Sequence, residues 1–510
     1  MSVKSEVGKP RETLVAPKPR SGEGELNPPN MSHARPRLRE HVLLSLIFVV
    51  SRAALFWAGI RFNFSLDWMW LSDPADLRDR LLETLYYFHA FPPGMDLLTG
   101  ILLKLGGSDA ATLALATFWV LGLVIVNSLF YLSRVSGLSA RAALGLAVAF
   151  SLLPQSIYFE HLYIYEYPIA ALLCLAAVFF YRAVREQSVW VWLGFFFACA
   201  AIGLTRSTFH LVWLVAMVGL GVWFTERHAR RSMFAAASGP AALLLALYVK
   251  NFALFGVFAA FTFGPVSYNL VTTWHLPVEV RDSWIMEGTL SPFAAVSVYA
   301  GPGEYLPFFD RSESRDWPPQ LNLLERPSVK APNYNHWFFL EVNRRRRDDA
   351  WYYVQARPLD YAANVVEGFR DMFTPSTEWH PLDTTDESPH RLHRQVLGRY
   401  EAFYNLVVHG FPVAPVGLYA FFPLTVAWTF RRARSLTRTG DTNARARGAL
   451  LCLCLFQIGF VVAASSLFTF REAARYRYQI EWMIWLMTAL SVVSLWRSLV
   501  GRVRWRGSRH

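Results

Sequence analysis

Charge is what this sequence has least of. Asp, Glu, Lys and Arg make up 17% of its 510 residues, while 54% are hydrophobic. Soluble globular chains carry about 25% charged residues. An ordinary water-soluble fold is therefore excluded, because so much apolar surface needs a partner other than water. Cysteine is scarce too: Cys174, Cys199, Cys452 and Cys454 all fall in apolar runs. No disulfide framework or metal-ligand cluster is implied by that placement. The chain also lacks internal repeats at a solenoid period.

What is present is a set of long apolar runs. Mean hydropathy is +0.24 over the whole chain, polar segments included, which reads as a polytopic membrane protein. Residues 1–40 are rich in Pro, Gly, Glu, Lys and Arg and contain no Phe, Trp or Tyr. Such a segment cannot bury enough apolar surface to offset its ordering entropy, so a disordered tail is expected. Segment 41–60 is long enough to span a bilayer and lacks a small-residue cleavage site, so it reads as a retained anchor. Further spans are expected at 110–132, 142–159, 167–181, 188–205, 207–224, 233–250, 410–430, 449–470 and 480–496, about ten transmembrane helices in all. The fold class is thus an all-α polytopic membrane protein with interfacial helices.

Lys and Arg alternate between connections. The first 40 residues hold eight, and segments 133–141, 182–187, 225–231, 431–448 and the tail 497–510 hold two, two, three, six and five. By the positive-inside bias these face the cytoplasm, as do both termini. The net charge of +12 is thereby mainly topological and gives no reason to expect nucleic acid. Segment 93–107, with Asp96 and Lys104, is expected to be interfacial or re-entrant; a crossing there would invert every later loop. The domain plan is the tail, the spans of 41–250 with a first extracytoplasmic loop at 61–109, a large extracytoplasmic loop at 251–405, C-terminal spans over 406–496, and the basic tail. The large loop carries 14 basic and 19 acidic residues, and amphipathic stretches such as 351–373 suggest a folded cap or surface helices.

Ionisable groups at the membrane boundary are costly to keep there and are the default functional candidates. The first outer loop has Asp67 and Asp73, then His89 before Pro92-Pro93. Elsewhere on the expected outer side are Glu166, Arg206, Lys250, Arg475 and Arg477. Acids in one loop and cations in others suit a reaction in which a carboxylate activates a hydroxyl while cations hold a departing phosphate. Arg donates paired bonds to phosphate and stays charged.

Each candidate also has a plainer reading. Asp73-Pro74 makes a good helix start. A lone His beside aromatics is more often structural, Glu166 and Arg206 can pair with each other, and Arg475 and Arg477 can snorkel. Arg52, in the middle of the first span, must face protein or water. The tetrad Arg344 to Arg347, followed by Asp348 and Asp349, reads as a solvated helix face or a lipid-headgroup contact.

These residues resemble the GT-C superfamily of integral-membrane glycosyltransferases, near its protein O-mannosyltransferase-like branch. The resemblance is carried by acids about twenty residues before His89-x-x-Pro92-Pro93, Glu166 after Pro154, Leu204-Thr205-Arg206, Arg475-Tyr476-Arg477, and Lys250-Asn251 with Phe255-Gly256-Val257-Phe258. It covers roughly 41–270 and 449–496 and leaves most of the large loop unmatched.

The resemblance implies a hexosyl- or pentosyltransferase that uses a polyprenyl-phosphate sugar, with a lipid, glycan or protein acceptor and inversion at the extracytoplasmic face. It also implies a first-loop aspartate as general base, with Asp67 or Asp73 as catalytic candidates. Substrate binding falls to His89, Glu166, Arg206, Lys250, Arg475 and Arg477. The family's adjacent Asp-Glu pair is absent here. Asp67 stands 22 residues before His89 and Asp73 stands 16 before it; spacing favours Asp67. A divalent metal is compatible with phosphate chemistry, though no His or Asp spacing requires one. The expected location is a bacterial plasma membrane, or the endoplasmic reticulum in a eukaryote. The rival function is a transporter or flippase for lipid-linked saccharides.

Overall fold

The computed structural model describes residues 38–309, 317–377, 391–414 and 416–507; nearly all of the 1–40 tail lies outside them. The described residues are mainly helical. In chain order the α-helices are α1 Leu38–Trp57, α2 Pro74–Asp79, α3 Leu81–Tyr87, α4 Gly94–Gly106, α5 Ala110–Val135, α6 Ala140–Ser151, α7 Pro154–His161, α8 Glu166–Glu186, α9 Val189–Thr205, α10 Leu211–Phe224, α11 Arg230–Phe255, α12 Gly264–Val271, α13 Val278–Met286, α14 Pro319–Asn322, α15 Phe338–Ala356, α16 Pro358–Asp371, α17 Arg391–Tyr404, α18 Phe422–Thr437, α19 Thr442–Phe468 and α20 Ala473–Gly507. One two-stranded hairpin, β1 Glu325–Arg326 and β2 Ala331–Pro332, lies in the large loop.

Among the described residues, six helical stretches are long and apolar enough to cross a membrane, and the bent pair α6–α7 makes a seventh. Helices α9 and α10 are apolar but shorter. The expected single helix at 410–430 is not formed. In its place are a π-type turn at Asn405–His409, a 3-10 turn at Gly417–Phe421 and α18. Gly410 and Gly417 take positive φ there, and Pro412 cannot donate a helical hydrogen bond. Ten crossings is thus an approximate count. Helix α20 continues into the basic C-terminal segment as far as Gly507.

Segment 142–159, expected as one span, bends by 55° between α6 and α7. Pro154 removes a donor and clashes with the preceding turn, so α6 ends and Pro154 starts α7. The carbonyls freed at the break find side-chain donors. Arg52 donates to Ser151 O at 2.9 Å, and Tyr400 donates to Leu152 O at 2.9 Å. Arg52, fully buried, also pairs through Nε with Glu160 Oε1 at 2.8 Å, and Tyr167 donates to the same carboxylate at 2.8 Å. The charge inside the first span therefore has its partner on α7.

Helix α4 leads through a 3-10 turn at Gly107–Asp109 into α5, an apolar stretch of 42 residues. A straight helix of that length would be about 63 Å long, twice the hydrocarbon core. The chain turns at Gly107, whose φ of 52° and ψ of −119° suit glycine. The turn lets Tyr163 donate to or accept from Thr99 of α4 at 2.8 Å while its ring packs 5.7 Å from Phe118 of α5.

The connections meet in two groups. In one, Arg445 reaches Phe224 O at 3.0 Å, and Gln187 accepts from Glu226 N at 3.3 Å. In the other, Asn63 bridges to Leu162, Lys250 donates to Phe88 O at 2.5 Å, and Arg475 meets Glu166. The large loop adds its own apolar core, including Phe263, Phe293, Tyr305, Phe338, Phe339 and Val342. It is tied down where Tyr361 donates to Leu467 O at 3.1 Å and Asp371 accepts from Ala473 N at 3.0 Å.

Candidate functional site

A cavity of about 470 Å³ opens where the first loop, the starts of α8 and α20, the end of α9 and α12 meet. Its apolar wall includes Trp68, Trp70, Phe91, Met95, Phe263 and Leu270, and its polar groups include Asp67, Arg206, Ser207, Ser267, Glu472 and Arg475. Asp67 is exposed to this space, with Ser65 Oγ donating to its carboxylate at 2.5 Å. Trp68 and Trp70 stack at 5.0 Å, and Trp70 packs 4.8 Å from Tyr165. This aromatic row shapes the wall beside Asp67.

The cations stand across the cavity. Arg206, immediately after α9, is 2% exposed, and its guanidinium lies between two rings, 3.9 Å from Tyr165 and 4.2 Å from Tyr476. Such a sandwich holds a planar cation in one orientation. Arg475 is more open. Its Nε is 3.0 Å from Glu166 Oε1, and its other arm is 3.1 Å from Glu472. Glu166 Oε1 also lies 3.4 Å from Arg206, so one buried carboxylate faces both guanidiniums. Burial, partly opposed by those arginines, pushes the Tyr165 phenol above its ordinary range, so it stays neutral.

A second, mostly apolar groove of about 460 Å³ runs between α12 and the end of α19, lined by Phe261, Phe460, Ala463, Ala464, Leu467 and Phe468. Ser207, Ser267 and Tyr476 line both spaces, so the groove leads into the charged cavity. Arg347 also lines it.

Four expected site residues therefore meet here: Asp67, Arg206 and Arg475 on the cavity, with Glu166 behind the two arginines. The other four are engaged elsewhere. Asp73 caps α2 by accepting from Ala75 N at 2.9 Å and is held by Ser328 N at 2.8 Å and Ser328 Oγ at 2.6 Å. His89 is fully buried between Thr262 Oγ1 at 2.8 Å and Asn335 O at 3.1 Å. Burial, with Lys250 nearby, pushes its imidazole down to about 3. Lys250 donates to Leu85 O at 3.3 Å as well as to Phe88 O. Arg477, 1% exposed, is used up by Glu481 at 2.7 Å, Thr374 O at 2.8 Å and Ser376 Oγ at 3.0 Å.

The basic tetrad divides. Arg344 and Arg345 pair with Glu341 at 2.6 and 2.9 Å on a solvated face. Arg346 turns inward to Tyr305 Oη at 2.6 Å and Ser297 O at 3.0 Å. Among the described residues, no group of three or more His, Cys, Asp and Glu side chains is placed to hold a metal ion. Tyr165, Tyr476, Glu472, Ser207 and Ser267 were not expected as site residues. The first three lie in runs rich in charge and tyrosine at span ends, which is the one signal the sequence offers for them.

No protein-family model and no curated protein matches the chain. Among solved structures it is similar to ArnT from Cupriavidus metallidurans in the apo state, with 15% identity over 83% of this chain and 76% of that one and a TM-score of 0.28.

Proposed function

We propose that this chain is a GT-C-like membrane glycosyltransferase that moves a sugar from a polyprenyl-phosphate donor to an acceptor hydroxyl at the extracytoplasmic face. The observation that carries this reading is that an exposed carboxylate, Asp67, lines the same cavity as two guanidiniums, Arg206 and Arg475, and that this cavity continues into an apolar groove. The donor's hydrocarbon lies in the groove and its phosphate meets the arginines. Asp67 takes the proton from the acceptor hydroxyl as that oxygen bonds to the sugar's anomeric carbon. The bond from that carbon to the phosphate oxygen breaks on the opposite side, which inverts the centre. The leaving polyprenyl phosphate gains charge, and fixed cations stabilise it most strongly at that moment.

The two arginines divide the work. Arg206 is immobilised by its rings. Arg475, 26% exposed, can exchange its contact with Glu472 for a phosphate oxygen. Glu166 keeps both cations in place while the cavity is empty, because buried charge needs a partner.

The test is release of polyprenyl phosphate from a panel of radiolabelled polyprenyl-phosphate sugars by purified protein in lipid nanodiscs, with membrane extract as acceptor. Transfer by the wild type is expected, with its loss in Asp67→Asn while donor binding remains. A folded wild type that binds lipid-linked sugars and transfers none would overturn the reading and favour a transporter or flippase, to be followed by flipping assays.

A further inference from the structure

The large loop reaches under the first loop at Asp67. Strands β1 and β2 pair Glu325 with Pro332 and Arg326 with Ala331. Pro327 opens the turn between them, and Lys330, with φ of 52°, closes it by donating from its backbone N to Arg326 O at 3.0 Å. The hairpin sets Arg326, 2% exposed, beneath residues 66–71. Its guanidinium donates to Leu66 O at 3.2 Å, to Leu71 O at 2.9 Å and to Asp67 O. Carbonyls in an irregular loop have no ladder to accept from, so a donor beneath them decides the path of the chain. A planar fork with five donors can serve several such carbonyls at once.

Two further contacts fix the same stretch. Asp96 accepts from Ser72 N at 3.1 Å and Ser72 Oγ at 2.6 Å. Asp73 accepts from Ser328, two residues along the hairpin from Arg326. The loop is therefore gripped on both sides of Trp68 to Trp70, and the Asp67 side chain is left facing the cavity.

We propose that Arg326 is a positioning residue that holds the Asp67 segment in its cavity-facing path. This rests on the reading of Asp67 as general base. Its structural half, the clamp, stands apart from that reading and is tested separately.

The experiment uses the full chain in nanodiscs and compares wild type, Arg326→Met and Arg326→Lys. Hydrogen exchange at the amides of 68–72 is expected to speed up about 10-fold in Arg326→Met, with α5 unchanged. In transfer assays kcat is expected to fall about 100-fold with the donor KM within about threefold, as for a displaced catalytic group. Arg326→Lys keeps a buried cation with fewer donors and is expected to recover part of both. It also serves as the test variant if Arg326→Met does not fold.

Wild-type exchange at 68–72 in the folded variants would overturn the clamp. Faster exchange with unchanged kcat, or KM rising as far as kcat falls, would overturn the positioning role. If the wild type transfers no sugar, the functional reading fails, and the exchange result still decides the clamp.

Discussion

Glu166 Oε1 lies 3.0 Å from Arg475 Nε, tying the start of α8 to the start of α20. The same oxygen faces Arg206, so a single buried carboxylate stands between the two cations assigned to the phosphate. Its geometry joins the stability of this end of the bundle to the readiness of the proposed site.

Removing that carboxylate leaves two guanidiniums without their shared partner. Glu166→Gln is expected to destabilise the protein by about 3 kcal/mol, the scale for breaking a buried pair. Adding Arg206→Gln to it is expected to cost less than the sum of the single changes, because the cation left unpaired is also gone. Thermal unfolding of the four proteins in nanodiscs measures the cycle. Additive losses would contradict the pairing.

Asp73 is expected to behave as a cap. Asp73→Asn keeps an oxygen for Ala75 N but gives up the second acceptor that Ser328 N uses, so the loss is about 2 kcal/mol and transfer stays within about tenfold of wild type. The check is kcat measured beside unfolding temperature. A loss of transfer on the scale expected of a general base would move the catalytic assignment to Asp73.

His89 sets a pH dependence of stability. Its folded value, about 3, lies below the ordinary 6.5, so between those values the unfolded chain binds the extra proton. The contribution is complete above about pH 6.5 and is lost as pH falls toward 3, with a slope of up to about 1.4 kcal/mol per pH unit. His336, pushed down to about 4 by burial, acts in the same direction. Unfolding midpoints between about pH 7.5 and about pH 5 are expected to fall less steeply in His89→Gln than in wild type. Equal slopes would contradict a neutral buried imidazole.

The apolar runs made the helical, membrane-spanning class legible, because little else accounts for so much hydrophobic sequence with so little charge. Breaks inside the runs were harder to read. The bend at Pro154 depends on Arg52 and Tyr400 rescuing the freed carbonyls, and those partners are distant in sequence. Segment 410–430 was apolar enough for a span, yet its glycines and Pro412 interrupt the helix.

Residue type and span-end position picked out Asp67, Arg206 and Arg475, which line the cavity, and Glu166, which lies against the two arginines. They did not separate these from Lys250 and Arg477, because a cation that donates to buried carbonyls reads the same in sequence as one open to a ligand. One geometric clue was present. Residues two apart on a helix point about 200° from each other, so Arg475 and Arg477 cannot both face one cavity. Arg326 belongs to a loop with no motif, and its role depends on a fold-level approach of two distant segments.

The most direct test of the account is single-turnover transfer by Asp67→Asn with a donor that the wild type uses, measured alongside donor binding. The account expects the donor Kd to stay within about threefold and the rate to fall at least about 100-fold, the scale of lost general-base catalysis. A folded Asp67→Asn protein that transfers sugar at the wild-type rate would contradict it.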